Sequence, residues 1–331
     1  MRRPTLALLF VLFLAAHAQA WSDAGHKIIA SIAFRQLTPA QRERIVALLK
    51  HHPRYAQDFE GAVPAEVRSG AAELKDEWAF QQAAIWPDLV RGFPEAEKEK
   101  FHRGTWHYIN RPLFLTDRDR ERLQGSIAIN LTLDPTQSAV QDLNVVQAIR
   151  LARRLAGDPA ADKSERALML TWIFHTVGDV HQPLHSTAMF AEGLFPEGDR
   201  GGNLIRTGQR SNLHSVWDGL PGGRMAVTEA RNRALGLIAK PDRRSLGEAA
   251  GRQLDEVEWV AESHAACRDA VYCAEVLAFL RQLPRDGRRE LPSLALSESY
   301  LKSAGAVAET RIVSAGYRLG TVLAQVADGD R

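Results

Sequence analysis

The chain has 331 residues, of which 45% are hydrophobic and 25% charged, and it contains 2 cysteines. Those proportions belong to a globular protein and exclude disordered, collagen-like and coiled-coil chains; two cysteines cannot build a disulfide-dense scaffold or a cysteine-ligated zinc finger. The 42 basic residues nearly match the 40 acidic ones, so overall charge implies no polyanion-binding surface.

In chain order, residues 1–20 read as an export signal. Arg2 and Arg3 give a basic start, Leu6 to Ala16 is an unbroken apolar run, and Ala18-Gln19-Ala20 is a small-x-small cleavage site. The apolar run is shorter than the roughly 20 residues of a membrane span. Cleavage after Ala20 is expected to give a secreted or periplasmic chain, with no membrane association, that starts at Trp21. Without Arg2 and Arg3 that chain is formally neutral.

Helical periodicity follows. Ile28, Ile29, Ile32 and Ala33 mark a helix within Trp21–Leu37, and Thr38-Pro39 supplies an N-cap and first-turn proline for a helix reaching Leu49. Further helical patterns cover 71–85, 137–156, 164–182, 211–219, 244–266 and 268–283. A last one runs from Leu294 to about Ala327, with a break expected near Gly305 or Gly316. Strand alternation is scarce. Residues 192–210 form a glycine-rich excursion, and 284–293 form a second loop. One all-α, multi-helix domain over 21–331 is the simplest architecture, with no linker dividing two cores. Export permits a disulfide. On one continuous helix Cys267 and Cys273 would lie about 9 Å apart along the axis, so the bridge expected between them requires a turn. Asn130-Leu131-Thr132 fits an N-glycosylation sequon of a kind that also arises by chance.

The histidines and aspartates carry the chemistry. Between Thr171 and Asp218 the chain reads TWIFHTVGDVHQPLH and then, after the glycine-rich loop, NLHSVWD. His175 and Asp179 are spaced i,i+4, as are His214 and Asp218, so each pair projects from one helix face. His185 lies between the pairs. Imidazole and carboxylate without thiolate suit zinc in catalytic sites. His175 and Asp179 sit among Trp172, Ile173, Phe174 and Val177, where burying ionisable groups is costly unless a cation compensates. His26 in WSDAGH, Asp88 in IWPDLVR and His107 in TWHYIN are each ambiguous alone.

Taken together, WxxxGH, WPD, WHYIN, FHTVGD, QPLH and NLHSVWD, in this order from Trp21 onward, resemble the trinuclear-zinc, single-strand-specific nucleases or 3′-nucleotidases, relatives of the zinc phospholipases C. The likeness covers nearly all of 21–331. It implies an all-α fold of that type and three Zn²⁺. One zinc would be held by Asp88, His107, His175 and Asp179. A second would be held by His185, His214 and Asp218, and a third by the amine and carbonyl of Trp21 with His26 and Asp179. An α-amine, with a pKa of about 7.7–8.0, can lose its proton to a metal near neutrality. Signal cleavage would thus help build the site.

The resemblance further implies hydrolysis of single-stranded DNA, RNA and 3′-nucleotides by a hydroxide bridging two zincs, leaving 5′-phosphates. Arg91 matches an arginine that stabilises the transition state, Asp179 is shared between metals, and Tyr108 matches a base-stacking aromatic. Asn110 stands where several members have Asp; it can orient water but cannot accept its proton. A monomer without a stable protein partner is expected. The alternatives are a zinc phospholipase C and a non-catalytic zinc-binding protein. The Asp that closes NLHSVWD and Tyr108 favour the nuclease, and the absence of His-Glu-x-x-His argues against a zinc protease.

Overall fold

A computed structural model describes residues 21–287 and 291–329. The expected export signal, residues 1–20, lies outside the described residues. The first helix, α1 (Asp23–Gln36), is buried on nearly every side. Thr38 forms the N-cap predicted for α2 (Pro39–Leu49), and Gln41 makes it reciprocal by reaching back to the Thr38 N–H. A short α3 (Ala65–Arg68) leads to α4 (Ala72–Leu89), where Pro87 is tolerated because it falls in the last turn and removes only one backbone hydrogen bond. After α5 (Glu95–Phe101) come β1 (Arg111–Phe114) and α6 (Asp117–Leu123).

The central pair is α7 (Val145–Ala156) and α8 (Lys163–Asp179). Beyond them lie β2 (Thr187–Phe190), α9 (Leu213–Asp218), α10 (Val227–Ala239), α11 (Pro241–Gly251), α12 (Glu256–Ala266), α13 (Ala274–Gln282) and α14 (Glu298–Gly329). Helices α1, α4, α7, α8, α10 and α14 share the larger apolar core, which contains Ile29, Phe34, Phe80, Phe174 and Val313. A smaller cluster, including Leu184, Met189, Trp217, Tyr272 and Leu280, underlies the glycine-rich loop and α13. The all-α expectation holds, with one addition. β1 and β2 pair in parallel, Arg111 opposite Thr187 through Phe114 opposite Phe190.

Three local expectations change. The 137–156 pattern becomes α-helical only at Val145, after a short 3-10 turn at Val140–Asp142, because Asn144 caps there by accepting from the Val146 and Gln147 N–H groups. The preceding loop is stapled by Asn130, whose amide donates to Gln147 Oε1 at 2.9 Å and to the Asp142 carbonyl at 3.2 Å; the sequon amide is thus committed inside the fold. The 244–266 pattern is two helices, since Asp255 starts a new one by accepting from Val257. The last helix runs unbroken for 32 residues. Gly316 does not break it but lets α14 lie against α1, where a Cβ would come within 2.5 Å of Ile32 Cβ; at Gly320 a Cβ would come within 2.7 Å of Gln36 Cβ.

The expected Cys267–Cys273 bridge is not formed. The chain does turn between them, through a π-helical Cys267–Val271, but both residues are free thiols. The Cys267 thiol is buried and hydrogen-bonds Thr187, and burial pushes its pKa well above the usual thiol value. Among the described residues no helix is long and apolar enough to cross a membrane.

Candidate metal centre

Six segments converge on one pocket. Helix α1 brings His26, the C-terminal turn of α4 brings Asp88, and α8 brings His175 and Asp179 one turn apart. His107 closes a 3-10 turn just before β1, and His185 closes another just before β2. The parallel strand pair holds these two turns together: the Ile109 N–H donates to the His185 carbonyl at 2.8 Å, and His185 Nδ1 donates to the His107 carbonyl at 2.6 Å. Helix α9, capped by Asn212, presents His214 and Asp218. The side chains fall into three groups whose donor atoms lie within 4.8 Å of one another: His26, His175 and Asp179; Asp88, His107 and His175; His185, His214 and Asp218. Gly178 makes the first possible, since a Cβ there would stand 2.7 Å from His26 Nδ1.

Trp21 is fully buried beside this pocket. The next residue, Ser22, donates its N–H to the Asp218 carbonyl at 3.0 Å and its hydroxyl to the Gly222 carbonyl at 2.6 Å. The start of the described chain is therefore pinned to the end of α9 and lies about one helical turn before His26.

The donor atoms are arranged for a cation. A carbonyl can only accept, so the ring nitrogens bonded to carbonyls must carry the protons. His175 Nδ1 bonds the Ala84 carbonyl, His185 Nδ1 that of His107, and His214 Nδ1 that of Gly201. In neutral rings this leaves Nε2 as a bare lone pair. His185 Nε2 and His214 Nε2 then face each other at 3.1 Å, with Asp218 Oδ2 3.5 Å from His214 Nε2. Two lone pairs at that distance repel unless a proton or metal ion lies between them. Both His26 ring nitrogens and His107 Nε2 are also buried without a hydrogen-bond partner. Backbone carbonyls bonded to the far ring nitrogen are the usual outer support of metal-binding histidines, and the residues present fit divalent ions.

The electrostatics differ across the pocket. Burial opposes ionisation of Asp179, but the charges that His175 and His185 carry when protonated, with the contacts of His107 and of protonated His175, outweigh it and hold the carboxyl well below its ordinary value. Its Oδ2 lies 2.9 Å from His107 and 3.2 Å from His175, and its Oδ1 is 3.3 Å from His26. Burial lowers His107 to about 4, with the charge of Arg91 adding to it. Asp218 goes the other way. Burial pushes it well above the carboxylate range and the charges of Asp88 and Asp179 push it further, while the Gln182 amide, 2.8 Å from Oδ1, and the charge of Arg91 offset only part of the rise.

The pocket adjoins a cleft of about 390 Å³ whose lining includes the largely buried His107, His185 and His214. Arg91, Tyr108 and Asn110 line it, and Arg91 pairs with Asp88 Oδ1 at 3.0 Å. Tyr108 is 38% exposed, which leaves a ring face available to a ligand.

A family model described as S1/P1 nuclease matches residues 21–328. The chain belongs to the S1/P1 nuclease family. It is accordingly a nuclease, a hydrolase of phosphodiester bonds acting on nucleic acid. Among its relatives, Endonuclease 4 of Arabidopsis thaliana is 23% identical over 93% of this chain and 90% of its own length. Nuclease P1 of Penicillium citrinum is 23% identical over 92% of this chain and 97% of its own. Nuclease S1 of Aspergillus oryzae is 26% identical over 50% of this chain and 56% of its own.

Motif reading of this nuclease missed the supporting residues. Gln182 lies inside the QPLH motif without standing out, yet its amide anchors Asp218 and its Oε1 accepts the Leu184 N–H at 2.6 Å. Arg200 and Asn203 of the glycine-rich loop line the cleft. Gly201 gives its carbonyl to His214, and a Cβ there would meet the Leu184 carbonyl at 2.4 Å. The cluster of glycines was the available signal, because several sit at positive φ next to the site.

Proposed function

We propose that this nuclease is zinc-dependent, hydrolyses single-stranded DNA and RNA to 5′-phosphate products, and removes the phosphate of 3′-nucleotides. The observation that carries the metal reading is the pair of bare Nε2 atoms of His185 and His214 facing each other at 3.1 Å. Asp88, His107, His175 and Asp179 would hold one zinc, and His185, His214 and Asp218 a second. A third would take Trp21, through its amine and carbonyl, with His26 and Asp179. When bound, the ions would supply an activated water and stabilise charge on phosphate oxygens.

The chain's own residues do the rest. The carbonyl bonds at Ala84, His107 and Gly201 fix three imidazole tautomers, so that the donor lone pairs point inward before any ligand arrives. Arg91 presents a guanidinium fork to the cleft, where it suits two oxygens of a phosphate. The Asn110 amide can orient water but cannot take its proton. The Tyr108 ring offers a stacking face to a base of any sequence.

Export, with cleavage after Ala20, frees the Trp21 amine, and the mature nuclease acts as a secreted or periplasmic monomer, without a membrane or a stable protein partner. The test is digestion of a labelled single-stranded oligonucleotide by protein starting at Trp21, with mapping of product ends. Chelator-sensitive products with 5′-phosphate and 3′-hydroxyl ends are expected. An intact oligonucleotide with hydrolysis of phosphatidylcholine would make it a phospholipase C, and bound zinc without turnover of either would make it a zinc-binding protein. A variant carrying Met before Trp21 should lose one metal and most activity.

A further inference from the structure

Among the described residues, Arg200 is the one non-glycine position with positive φ, at 56°. Glycine adopts that backbone without strain and arginine does not. The strain is imposed from both sides. On one side Asp199 is fully buried and accepts the Met189 N–H at 2.9 Å, the N–H groups of Gly201 and Gly202, and the hydroxyl of Tyr272. On the other side the Gly201 carbonyl is bonded to His214 Nδ1 at 2.7 Å. Arg200 is therefore an exposed side chain on a backbone fastened between a buried carboxylate and a metal-site histidine, and it lines the same cleft as Arg91 and Tyr108.

The two guanidiniums of the cleft are placed differently. Arg91 is bound to Asp88, whereas Arg200 has no ion pair among the described residues and stands beside the His214 group. A mononucleotide carries one phosphate for the metal groups and Arg91. A strand carries further phosphates, and an arginine without an ion pair on the loop beside His214, lining the same cleft, is placed to meet one. We propose that Arg200 is a second phosphate contact, which grips a phosphate next to the scissile one and so favours polynucleotide over mononucleotide. This rests on the nuclease reading given above.

The experiment compares wild type, Arg200→Gly and Arg200→Lys as zinc-loaded enzymes on an oligothymidylate and on a 3′-mononucleotide, across a range of salt concentrations. Arg200→Gly keeps a backbone suited to φ 56°, so its melting temperature should not fall below wild type. Its oligothymidylate kcat/KM should fall about tenfold relative to its mononucleotide kcat/KM. The slope of log kcat/KM for the oligothymidylate against log salt should flatten by roughly 0.7, the value for one phosphate contact on a single strand. Arg200→Lys should restore most of that slope. Equal losses on both substrates, no loss on either, or an unchanged salt slope would each overturn the proposal while leaving the nuclease reading intact. If wild type hydrolyses neither substrate, the nuclease reading fails first.

Discussion

The two walls of the metal pocket use the same donor chemistry on different supports. One wall stands on long helices: His26 on α1, Asp88 on α4, and His175 and Asp179 on α8, all backed by the larger core. The other stands on short segments: His185 on a three-residue turn, and His214 and Asp218 on a six-residue helix. On the helical wall Asp179 is surrounded by histidines that stabilise its charge. On the loop wall Asp218 is buried with other carboxylates nearby, and the Gln182 amide and the charge of Arg91 offset only part of that burial. The helical wall therefore balances much of its charge internally. The loop wall has less internal compensation and leans on the anchors of the loop around it.

Substitution of Asp179 should give the largest effect, because three histidines converge on it. Asp179→Asn is expected to cut nuclease turnover roughly 10³-fold, as removal of a preorganised charge at a reacting centre does, and to lower metal content. Near-normal turnover with a full metal complement would show that the helical wall does not carry the site.

The loop wall has its own pH signature. Burial raises the Asp199 carboxyl from 3.8 to about 6. Between those values the folded protein binds a proton that the unfolded chain has lost, so this group's contribution to stability falls as pH rises from about 4 to 6 and is level above that. The shift corresponds to about 3 kcal/mol. Asp199→Asn should remove it, so that the stability of the variant relative to wild type rises by about that amount between pH 4 and pH 7 in denaturant unfolding. A pH-independent difference would mean that Asp199 does not titrate in this window.

Loss of the Gln182 amide should weaken the loop wall alone. Gln182→Ala is expected to lower affinity for one metal about 10- to 100-fold, the usual effect of removing an outer support, as read by competition with a chelator. Equal weakening of every metal would contradict the separation of the walls. The smallest effect is expected at Gly178. The added methyl of Gly178→Ala collides with His26 and should cost about 1–2 kcal/mol in thermal unfolding, with metal loss confined to the His26 group.

The same contrast explains what was legible in the sequence. His175 and Asp179, like His214 and Asp218, announce themselves because i,i+4 spacing is a local property of a helix. Thr38-Pro39 marks a cap for the same reason. The strand pair was invisible because four-residue strands such as Arg111–Phe114 are too short to show alternation, and their pairing is set by the turns of His107 and His185. Gly316 was misread as a breaker because its role is contact with Ile32, a residue nearly the whole chain away. The cysteines were expected to pair because export permits a disulfide and the chain has no other cysteine, but neither fact records that the Cys267 thiol bonds Thr187. Gln182 and Arg200 act through partners distant in sequence, and no local pattern marks them.

Anomalous diffraction at the zinc edge, on crystals of protein beginning at Trp21, tests the central claim most directly. Three zinc peaks are predicted: one among Asp88, His107, His175 and Asp179, one among His185, His214 and Asp218, and one beside Trp21 and His26. A zinc-loaded, active protein with no peak at these side chains would contradict the account.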